Sequence, residues 1–277
     1  MKSGGIDDNL GGGPAAQSVR WPPKRELFGV GISIALYDQC LDALFAAAAA
    51  GVHCSVGHMG AHNLMMSTRD PELRRAFDEF ELVTTDGQFV RFALNWLHDT
   101  ALPERVTARD LMLKICERAC DQGRSIYLFG DELATVTELK NRLRERFPGL
   151  VVAGCDPSAF RPLTSTEDEQ LVTRVNASGA SFLFVALGCP RQEMFVHAHR
   201  GRIHATQLCV GSAFKILAGH RRMAPAWMQR WCLEWVYHFA QDPRAKWKRY
   251  MVNYPQLMLR LLAGLTSKVL RTGRRQS

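Results

Sequence analysis

The 277-residue sequence contains no long apolar run and no basic, apolar leader. A transmembrane helix needs about 18 or more consecutive apolar residues, and the apolar stretch around Ala46–Ala50 is far shorter. The N-terminal residues are rich in Gly and carry acidic side chains, which is not the pattern of a secretory signal. We therefore expect a chain without a spanning segment or secretion signal, whose 47% hydrophobic residues build a sizeable core.

Signatures of metal and dinucleotide sites are also missing. The eight cysteines form no CxxC pair, the nine histidines form no HExxH motif, and no carboxylate pair follows a strand. The segment Gly29–Ser33 lacks the third Gly of a dinucleotide fingerprint, which argues against NAD binding. These absences predict free thiols in a reducing cytoplasm, no metal site and no cofactor.

The charge of the sequence is divided very unevenly. Residues 215–277 hold thirteen Lys or Arg against two acidic residues, whereas residues 1–214 hold 22 basic and 25 acidic residues. A nearly neutral body is thus joined to a cationic tail. Such asymmetry indicates a polyanionic partner, which could be a phospholipid surface, a phosphorylated substrate or nucleic acid.

The pattern of apolar segments predicts three regions. Residues 1–24 lack periodicity and are predicted to be a disordered leader. In residues 25–214 short apolar strands, beginning with 27–34, alternate with helical segments, which is typical of a Rossmann-like α/β body with a mainly parallel sheet and helices on both faces. Residues 215–277 are predicted to form a basic, helical C-terminal appendage.

Polar residues and glycines follow several of the predicted strands. They are Asn63, Asp86-Gly87, Gly130-Asp131, Gly188–Glu193 and Gly211-Ser212. Ligands of such sheets bind at the carboxyl ends of the strands, so these residues are candidates for substrate binding. Asp86 is either a general base that takes a proton from an attacking hydroxyl or an ordinary Asp-Gly turn residue.

The segment Gly188–Glu193 follows the most apolar of the predicted strands. Gly188 would let the backbone approach a ligand, and Pro190 would stiffen the turn. Gln192 and Glu193 offer an amide and a carboxylate to sugar hydroxyls, and Arg191 could face a phosphate. The alternative is a simple helix start with Pro and Glu in its first turn.

The end of the tail has helical spacing. One face would carry Leu257, Leu261, Leu262, Leu265 and Val269. This is the composition of an amphipathic helix at a membrane interface, and equally of a helix packed on the body or on a second subunit. The excess of cations favours an anionic membrane surface.

Seven short motifs lie at the strand ends and in the tail. They are HN at 62–63, TDG at 85–87, RVTARDL at 105–111, YLFG at 127–130, ALGCPRQE at 186–193, CVGSAFKILAGHRRMAP at 209–225 and LEWVYHFAQDPR at 233–244. In order and spacing they resemble the WecG/TagA/CpsF family of glycosyltransferases, over about residues 28–250.

This resemblance implies an inverting transfer of a sugar from a UDP-sugar to a polyprenyl-diphosphate-linked sugar, in cell-surface polysaccharide synthesis. The sugar would be N-acetylmannosamine, its uronic acid or glucose. The enzyme would be cytoplasmic and peripheral on the inner face of the cell membrane, with a second copy of the chain as a further candidate partner. Without a carboxylate pair for Mg²⁺ or Mn²⁺, cationic side chains would stabilise the departing diphosphate.

The resemblance also assigns roles to residues. Asp86 would be the general base, while Asn63 and Gln192 would line the substrate pocket. The remaining substrate-binding candidates are Gly87, Arg109, Asp110, Gly130, Gly188, Pro190, Arg191, Glu193 and Gly211. Arg244 and Lys248 in the appendage are expected to hold the diphosphate.

The chain departs from the family pattern at Ala61, Ala108, Lys215 and Met223. Lys215 stands where the family usually has Asp, so it reverses a charge beside the predicted nucleotide loop. Two other hypotheses account for parts of the sequence. A non-catalytic membrane-associated relative would fit the altered Lys215, and a nucleic-acid-binding protein would fit the basic, Trp-rich tail but not the strand-end loops.

Overall fold

A computed structural model describes residues 19–241 and 253–273. Its main sheet has six parallel strands in the order β4-β3-β8-β7-β5-β6. They are β3 (Ser55–His58), β4 (Leu82–Thr84), β5 (Ser125–Gly130), β6 (Val151–Asp156), β7 (Phe182–Ala186) and β8 (Thr206–Cys209). The predicted α/β class with a Rossmann-like parallel sheet is confirmed.

The first predicted strand is not part of this sheet. It forms a separate antiparallel hairpin of β1 (Lys24–Leu27) and β2 (Val30–Ser33). Gly29 makes the turn with a φ of 89°, a conformation that glycine adopts at little cost. The hairpin lies beside β4, where the backbone N–H of Val83 donates to Ser33 Oγ at 3.1 Å.

The described part of the chain begins at residue 19, before the predicted end of the leader at residue 24. Lys24 is already in β1, and Val19 and Trp21 pack against the core. The backbone N–H of Ile34 donates to the Pro23 carbonyl at 2.8 Å, which fixes this segment to the hairpin. Residues 1–18 lie outside the described part of the chain, so the prediction of disorder is not tested there.

Helices cover both faces of the sheet. They are α1 (Tyr37–Ala49), α2 (Ala61–Ser67), α3 (Pro71–Glu79), α4 (Gln88–His98), α5 (Ala108–Asp121), α6 (Leu133–Arg146), α7 (Ser165–Ala177), α8 (Arg191–Ala198), α9 (Ala213–Leu217), α10 (Ala226–Arg230), α11 (Glu234–Gln241) and a last helix that we label α12 (Asn253–Gly273). Helices α1, α5 and α6 contribute side chains to one core, and α2, α3, α4, α7 and α8 to the other.

Strand β7 divides its side chains between these two cores. Phe182 and Phe184 face one core, and Leu183 and Val185 face the other, all with no exposed surface. Successive residues of a strand point to opposite faces, so a strand covered on both sides needs a continuous apolar run. Each such side chain contributes about 1.5–3 kcal/mol through burial.

Helix α12 packs on the body instead of standing free. Leu257 and Leu261 are fully buried, and Leu265 packs partly against the same core. The alternative of a helix packed on the body is therefore correct for these leucines. Leu262, which was predicted on the same face, is 54% exposed, and the side chain of Val269 lies outside what the structure describes.

The outer side of α12 exposes several apolar side chains. Met258 and Leu259 are exposed with Leu262, and Trp96 of α4 is also exposed. Lys268 donates to the Asp99 carboxylate at 2.6 Å and to the Trp96 carbonyl at 2.9 Å, joining α12 to the end of α4.

Among the residues that the structure describes, no helix has both the length and the apolar character needed to cross a bilayer.

All eight cysteines are free thiols, as the sequence predicts. Cys40 and Cys54 are buried, and burial raises the pKa of each thiol to about 12. These thiols stay protonated at neutral pH and serve as small apolar groups of the core.

Candidate active site

A cavity of about 470 Å³ opens at the carboxyl ends of β3, β4, β7 and β8. The remaining wall comes from residues 105–109, at the start of α5, and from the segment 221–234, which belongs to the appendage. Seven of the predicted site residues line it: Asn63, Asp86, Gly87, Arg109, Gly188, Gln192 and Gly211. The strand-end rule therefore predicted residues that share one cavity, because parallel strands bring their carboxyl ends to one edge of the sheet.

Asp86 lies after β4, directly before α4. Its Oδ1 accepts a hydrogen bond from the backbone N–H of Ala108 at 2.9 Å, and Oδ2 lies on the side of Gly60, at the cavity. Burial raises the pKa of the carboxyl, while the Ala108 hydrogen bond and Arg105 act in the opposite direction. A carboxylate held by one oxygen, with the other oxygen left for a ligand, suits a general base.

Gly87 is required beside this carboxylate. A side chain there would place Cβ 3.0 Å from the Gly60 Cα atom, closer than ordinary packing allows. The Gly87 N–H also donates to the Met59 carbonyl at 3.0 Å, which ties the turn after β4 to the end of β3. The Asp-Gly pair is thus both a turn and a part of the cavity.

The first turn of α5 supplies the Ala108 N–H. Thr107 caps this helix, because its Oγ1 accepts from the Asp110 N–H at 3.2 Å, and the Thr107 N–H donates to the Tyr37 hydroxyl at 3.0 Å. Asp110 does not line the cavity. It holds Arg109 instead, accepting from Arg109 Nε at 2.7 Å, and so acts on the site through that residue.

Of the side chains predicted in the loop after β7, that of Gln192 lines the cavity. Gln192 is buried, and its Oε1 accepts from the Gly188 N–H at 3.2 Å while its Nε2 donates to Glu193 at 3.0 Å. Gly211 lies against this amide: a Cβ atom there would be 3.3 Å from Gln192 Oε1. The second Nε2 hydrogen of Gln192 is available to a substrate.

Three other predictions for this loop are not supported by the geometry. Pro190, Arg191 and Glu193 do not line the cavity. Pro190 precedes α8, and Arg191, its first residue, is exposed. Glu193 is buried, which raises the pKa of its carboxyl, and it fixes Gln192 in place. Pro190 and Arg191 thus lie at the start of a helix, as in the alternative interpretation, and their role in substrate binding stays a prediction.

Gly130 is likewise absent from the cavity wall. A Cβ atom at this position would lie 2.4 Å from the Ala186 carbonyl oxygen, and φ is 122°. The glycine is needed because β5 and β7 pair closely here, and it has no contact with the cavity. Lys215 does not line the cavity either. Its Nζ lies 3.5 Å from Asp131 and 3.8 Å from Glu132, so the reversed charge is paired with these two carboxylates.

Arg244 and Lys248, the predicted diphosphate ligands, lie outside the described residues. The structure instead finds three other guanidinium groups in the cavity wall, those of Arg105, Arg109 and Arg221. Arg109 was predicted. Arg105 and Arg221 were not, although both lie inside motifs of the sequence, because nothing in the order of residues shows which side chain of a motif faces a cavity.

His58 is another residue that sequence reasoning missed. Its Nδ1 lies 2.7 Å from Thr84 Oγ1, and the Thr84 hydroxyl donates to the Val106 carbonyl at 2.9 Å. Because that hydroxyl proton is used, Thr84 must accept from Nδ1–H, and the Nε2 atom of His58 carries no proton. Burial lowers the pKa of the imidazole to about 3, so His58 is neutral.

Comparison with known proteins identifies the family of the chain. A family model described as the glycosyl transferase WecG/TagA/CpsF family matches residues 25–270. The N-acetylglucosaminyldiphosphoundecaprenol N-acetyl-beta-D-mannosaminyltransferase of Bacillus spizizenii is 25% identical over 195 residues, covering 70% of this chain and 73% of that protein. The family match includes every cavity residue named above.

Proposed function

Because the chain belongs to the WecG/TagA/CpsF family and is a glycosyltransferase, we propose that it transfers one sugar from a UDP-sugar to a polyprenyl-diphosphate-linked sugar. The name of the Bacillus spizizenii relative describes transfer of N-acetylmannosamine to an N-acetylglucosamine on undecaprenyl diphosphate. We favour this donor sugar and this class of acceptor, ahead of the uronic acid and glucose.

The arrangement of Asp86 carries the proposal. Oδ1 is fixed by the Ala108 N–H, and Oδ2 lies at the cavity. Oδ2 takes the proton of the acceptor hydroxyl as that oxygen forms a bond to the anomeric carbon. The bond between that carbon and the UDP oxygen breaks on the opposite side, and the electron pair leaves with UDP. A single displacement of this kind inverts the anomeric configuration.

In this mechanism cationic side chains stabilise the negative charge of the leaving diphosphate. Arg109 and Arg221 both line the cavity, and Arg109 is oriented by Asp110. Fixed guanidinium groups can stabilise a developing diphosphate charge without a metal ion. Arg244 and Lys248 remain proposed ligands of the same diphosphate.

Asn63 and Gln192 orient the sugars. Asn63 Nδ2 donates to the His58 carbonyl at 3.0 Å, which holds its side chain at the cavity and leaves its Oδ1 for a substrate hydroxyl. Gln192 is fixed from both sides, by Gly188 and Glu193. Side chains held in this way lose little freedom when the substrate binds.

The surface around Trp96 and α12 supports work at a membrane. Met258, Leu259 and Leu262 of α12 and Trp96 of α4 are exposed, and the tail is strongly cationic. Apolar side chains next to basic residues bind anionic lipid surfaces. We propose that this surface meets the inner face of the cell membrane, where a polyprenyl-linked acceptor would be within reach of the cavity.

The direct test is transfer with defined substrates. The full chain is incubated with a panel of UDP-sugars and an N-acetylglucosaminyl polyprenyl diphosphate in anionic vesicles, with and without EDTA. We expect acceptor-dependent UDP release that persists in EDTA, and a product of inverted configuration by NMR. UDP release lost in EDTA would contradict the metal-free mechanism, and binding to vesicles without binding of any UDP-sugar would favour a non-catalytic relative.

A further inference from the structure

Arg105 joins the body to the appendage at the edge of the cavity. Its Nη1 and Nη2 atoms donate to the two carboxylate oxygens of Glu234 at 2.6 and 2.8 Å. Nη2 also donates to Gln229 Oε1 at 3.1 Å, and Nη1 to the Asp86 carbonyl at 3.4 Å. Arg105 lies in the loop before α5, whereas Gln229 and Glu234 belong to α10 and α11.

These four contacts occupy all the Nη hydrogens of the guanidinium group. In this arrangement Arg105 has no free Nη donor for a phosphate oxygen, unlike a guanidinium that awaits an anionic ligand. Its side chain is 14% exposed and that of Glu234 is 27% exposed, so the pair is partly withdrawn from water. A bidentate arginine–carboxylate pair of this kind fixes geometry as well as charge.

Two further hydrogen bonds involve the same segment. Gln229 Nε2 donates to the Ala224 carbonyl within the appendage at 2.8 Å. Gln88 Nε2 reaches the Arg230 carbonyl only at 3.4 Å. Trp227 and Trp231 are exposed, at 58% and 75%, so these two large side chains do not anchor the segment on the body.

We propose that Glu234 is a positioning residue of the sugar transfer: its ion pair with Arg105 fastens the α10–α11 segment over the cavity, so that Asp86 works in a closed site. The inference rests on the proposed function and adds a residue to which no role has been assigned. Glu234 acts through Arg105 and the wall that the segment forms, and it does not take part in the proton transfer.

The charges around Asp86 give the proposal a distinctive signature. Burial is the main cause of the raised pKa of Asp86; Glu234 and Asp110 raise it further, while Arg105 lowers it. The hydroxyl of Tyr37 is a further titratable group near this carboxylate. Loss of the Glu234 charge and entry of water into an opened cavity both favour ionised Asp86, so both lower its pKa.

The first experiment is hydrogen exchange of the backbone amides of residues 226–241, measured on the full chain without substrate. We expect Glu234→Gln to raise exchange of this segment by about tenfold, since loss of about 1.4 kcal/mol of docking free energy corresponds to that factor. The double variant Arg105→Glu/Glu234→Arg should restore protection. Glu132→Gln, which removes an exposed carboxylate that pairs with Lys215 outside the cavity, should leave the segment unchanged.

The second experiment follows kcat/KM against pH for the wild type, Glu234→Gln and the Glu132→Gln control. Glu234→Gln should lower kcat about 10- to 100-fold, the size expected for a misplaced reacting group, and should move the acid limb of the profile to lower pH. The proposal would be overturned if Glu234→Gln left both the hydrogen exchange of residues 226–241 and the acid limb of the kcat/KM profile unchanged. If the wild type transfers no sugar, the proposed function fails, while the exchange experiment still decides whether the pair fastens the segment.

Discussion

The backbone N–H of Ala108 donates to Asp86 Oδ1 at 2.9 Å, so the first turn of α5 orients the carboxylate at the end of β4. This contact joins two loops that are separated in sequence by more than twenty residues. Ala108 stands where the family resemblance has Gly, and we expect this substitution to preserve the contact, because the contact uses the backbone and not the side chain. One carboxylate oxygen is thereby fixed, and the other is left for the substrate.

Activity should depend on pH through Asp86. The base must be ionised, and the pKa of its carboxyl lies above the ordinary value of 3.8 because of burial. We therefore expect kcat/KM to fall as pH is lowered through this raised pKa, with an acid limb above that of a solvated aspartate. The profile should be recorded at saturating acceptor with a UDP-sugar that turns over, and an acid limb at or below pH 3.8 would contradict the assignment.

Lys215 should have no part in donor binding. It pairs with Asp131 and Glu132 outside the cavity, so Lys215→Ala is expected to leave the KM for the UDP-sugar unchanged within about twofold. Its side chain is 41% exposed, and an exposed ion pair contributes only about 0–1 kcal/mol. A large rise in KM with unchanged stability would show that the charge reversal acts on the donor after all.

Gly130 is expected to matter for stability and not for substrate. Gly130→Ala would push Cβ to 2.4 Å from the Ala186 carbonyl oxygen, in a backbone conformation with φ of 122°. We expect a loss of roughly 1–3 kcal/mol in the free energy of unfolding from backbone strain, and more if the strands must separate. Gly123→Ala is the matched control, because its Cβ would meet open space at a φ of 63°; equal losses in both variants would argue against the packing explanation.

Neighbouring leucines of α12 should behave in opposite ways. Leu257 is fully buried and Leu259 is 67% exposed. Leu257→Ala is expected to cost about 2–5 kcal/mol as a buried truncation, whereas Leu259→Ala should change stability by no more than about 0.5 kcal/mol. Urea unfolding measures both, and vesicle sedimentation should show weaker lipid binding for Leu259→Ala. Similar unfolding costs for the two variants would mean that α12 does not pack on the body.

The fold was largely predictable because a sheet covered on both faces imposes strong patterns. Strands such as β5 and β7 are continuous apolar runs, and in the helices between them apolar residues recur at helical spacing. The hairpin at 24–33 was predicted wrongly as one strand, since the positive φ of Gly29 turns the chain in the middle of an otherwise apolar stretch. Helix α4 was not predicted, although it begins at the Asp-Gly turn that was singled out for chemistry.

The site was predictable to the level of loops and not of side chains. Asp86, Asn63 and Gln192 line the cavity as expected, whereas Arg191 and Glu193, on either side of Gln192, do not line it. Adjacent residues at the start of a helix face different directions, and sequence alone does not say which direction is the cavity. Glu234 was beyond prediction for another reason: its partner Arg105 lies 129 residues earlier in the chain, and only the folded appendage brings them together.

The central claim is that Asp86 is the base of an inverting sugar transfer, and the rate of the Asp86→Asn variant tests it most directly. Burial disfavours the charged carboxylate, so removing the charge should not lower the stability of the fold at neutral pH. The measurement is acceptor-dependent UDP release, compared with UDP-sugar binding by the same preparation. We predict that kcat falls about 10²- to 10⁴-fold while binding of the UDP-sugar is retained; turnover equal to that of the wild type would contradict the account.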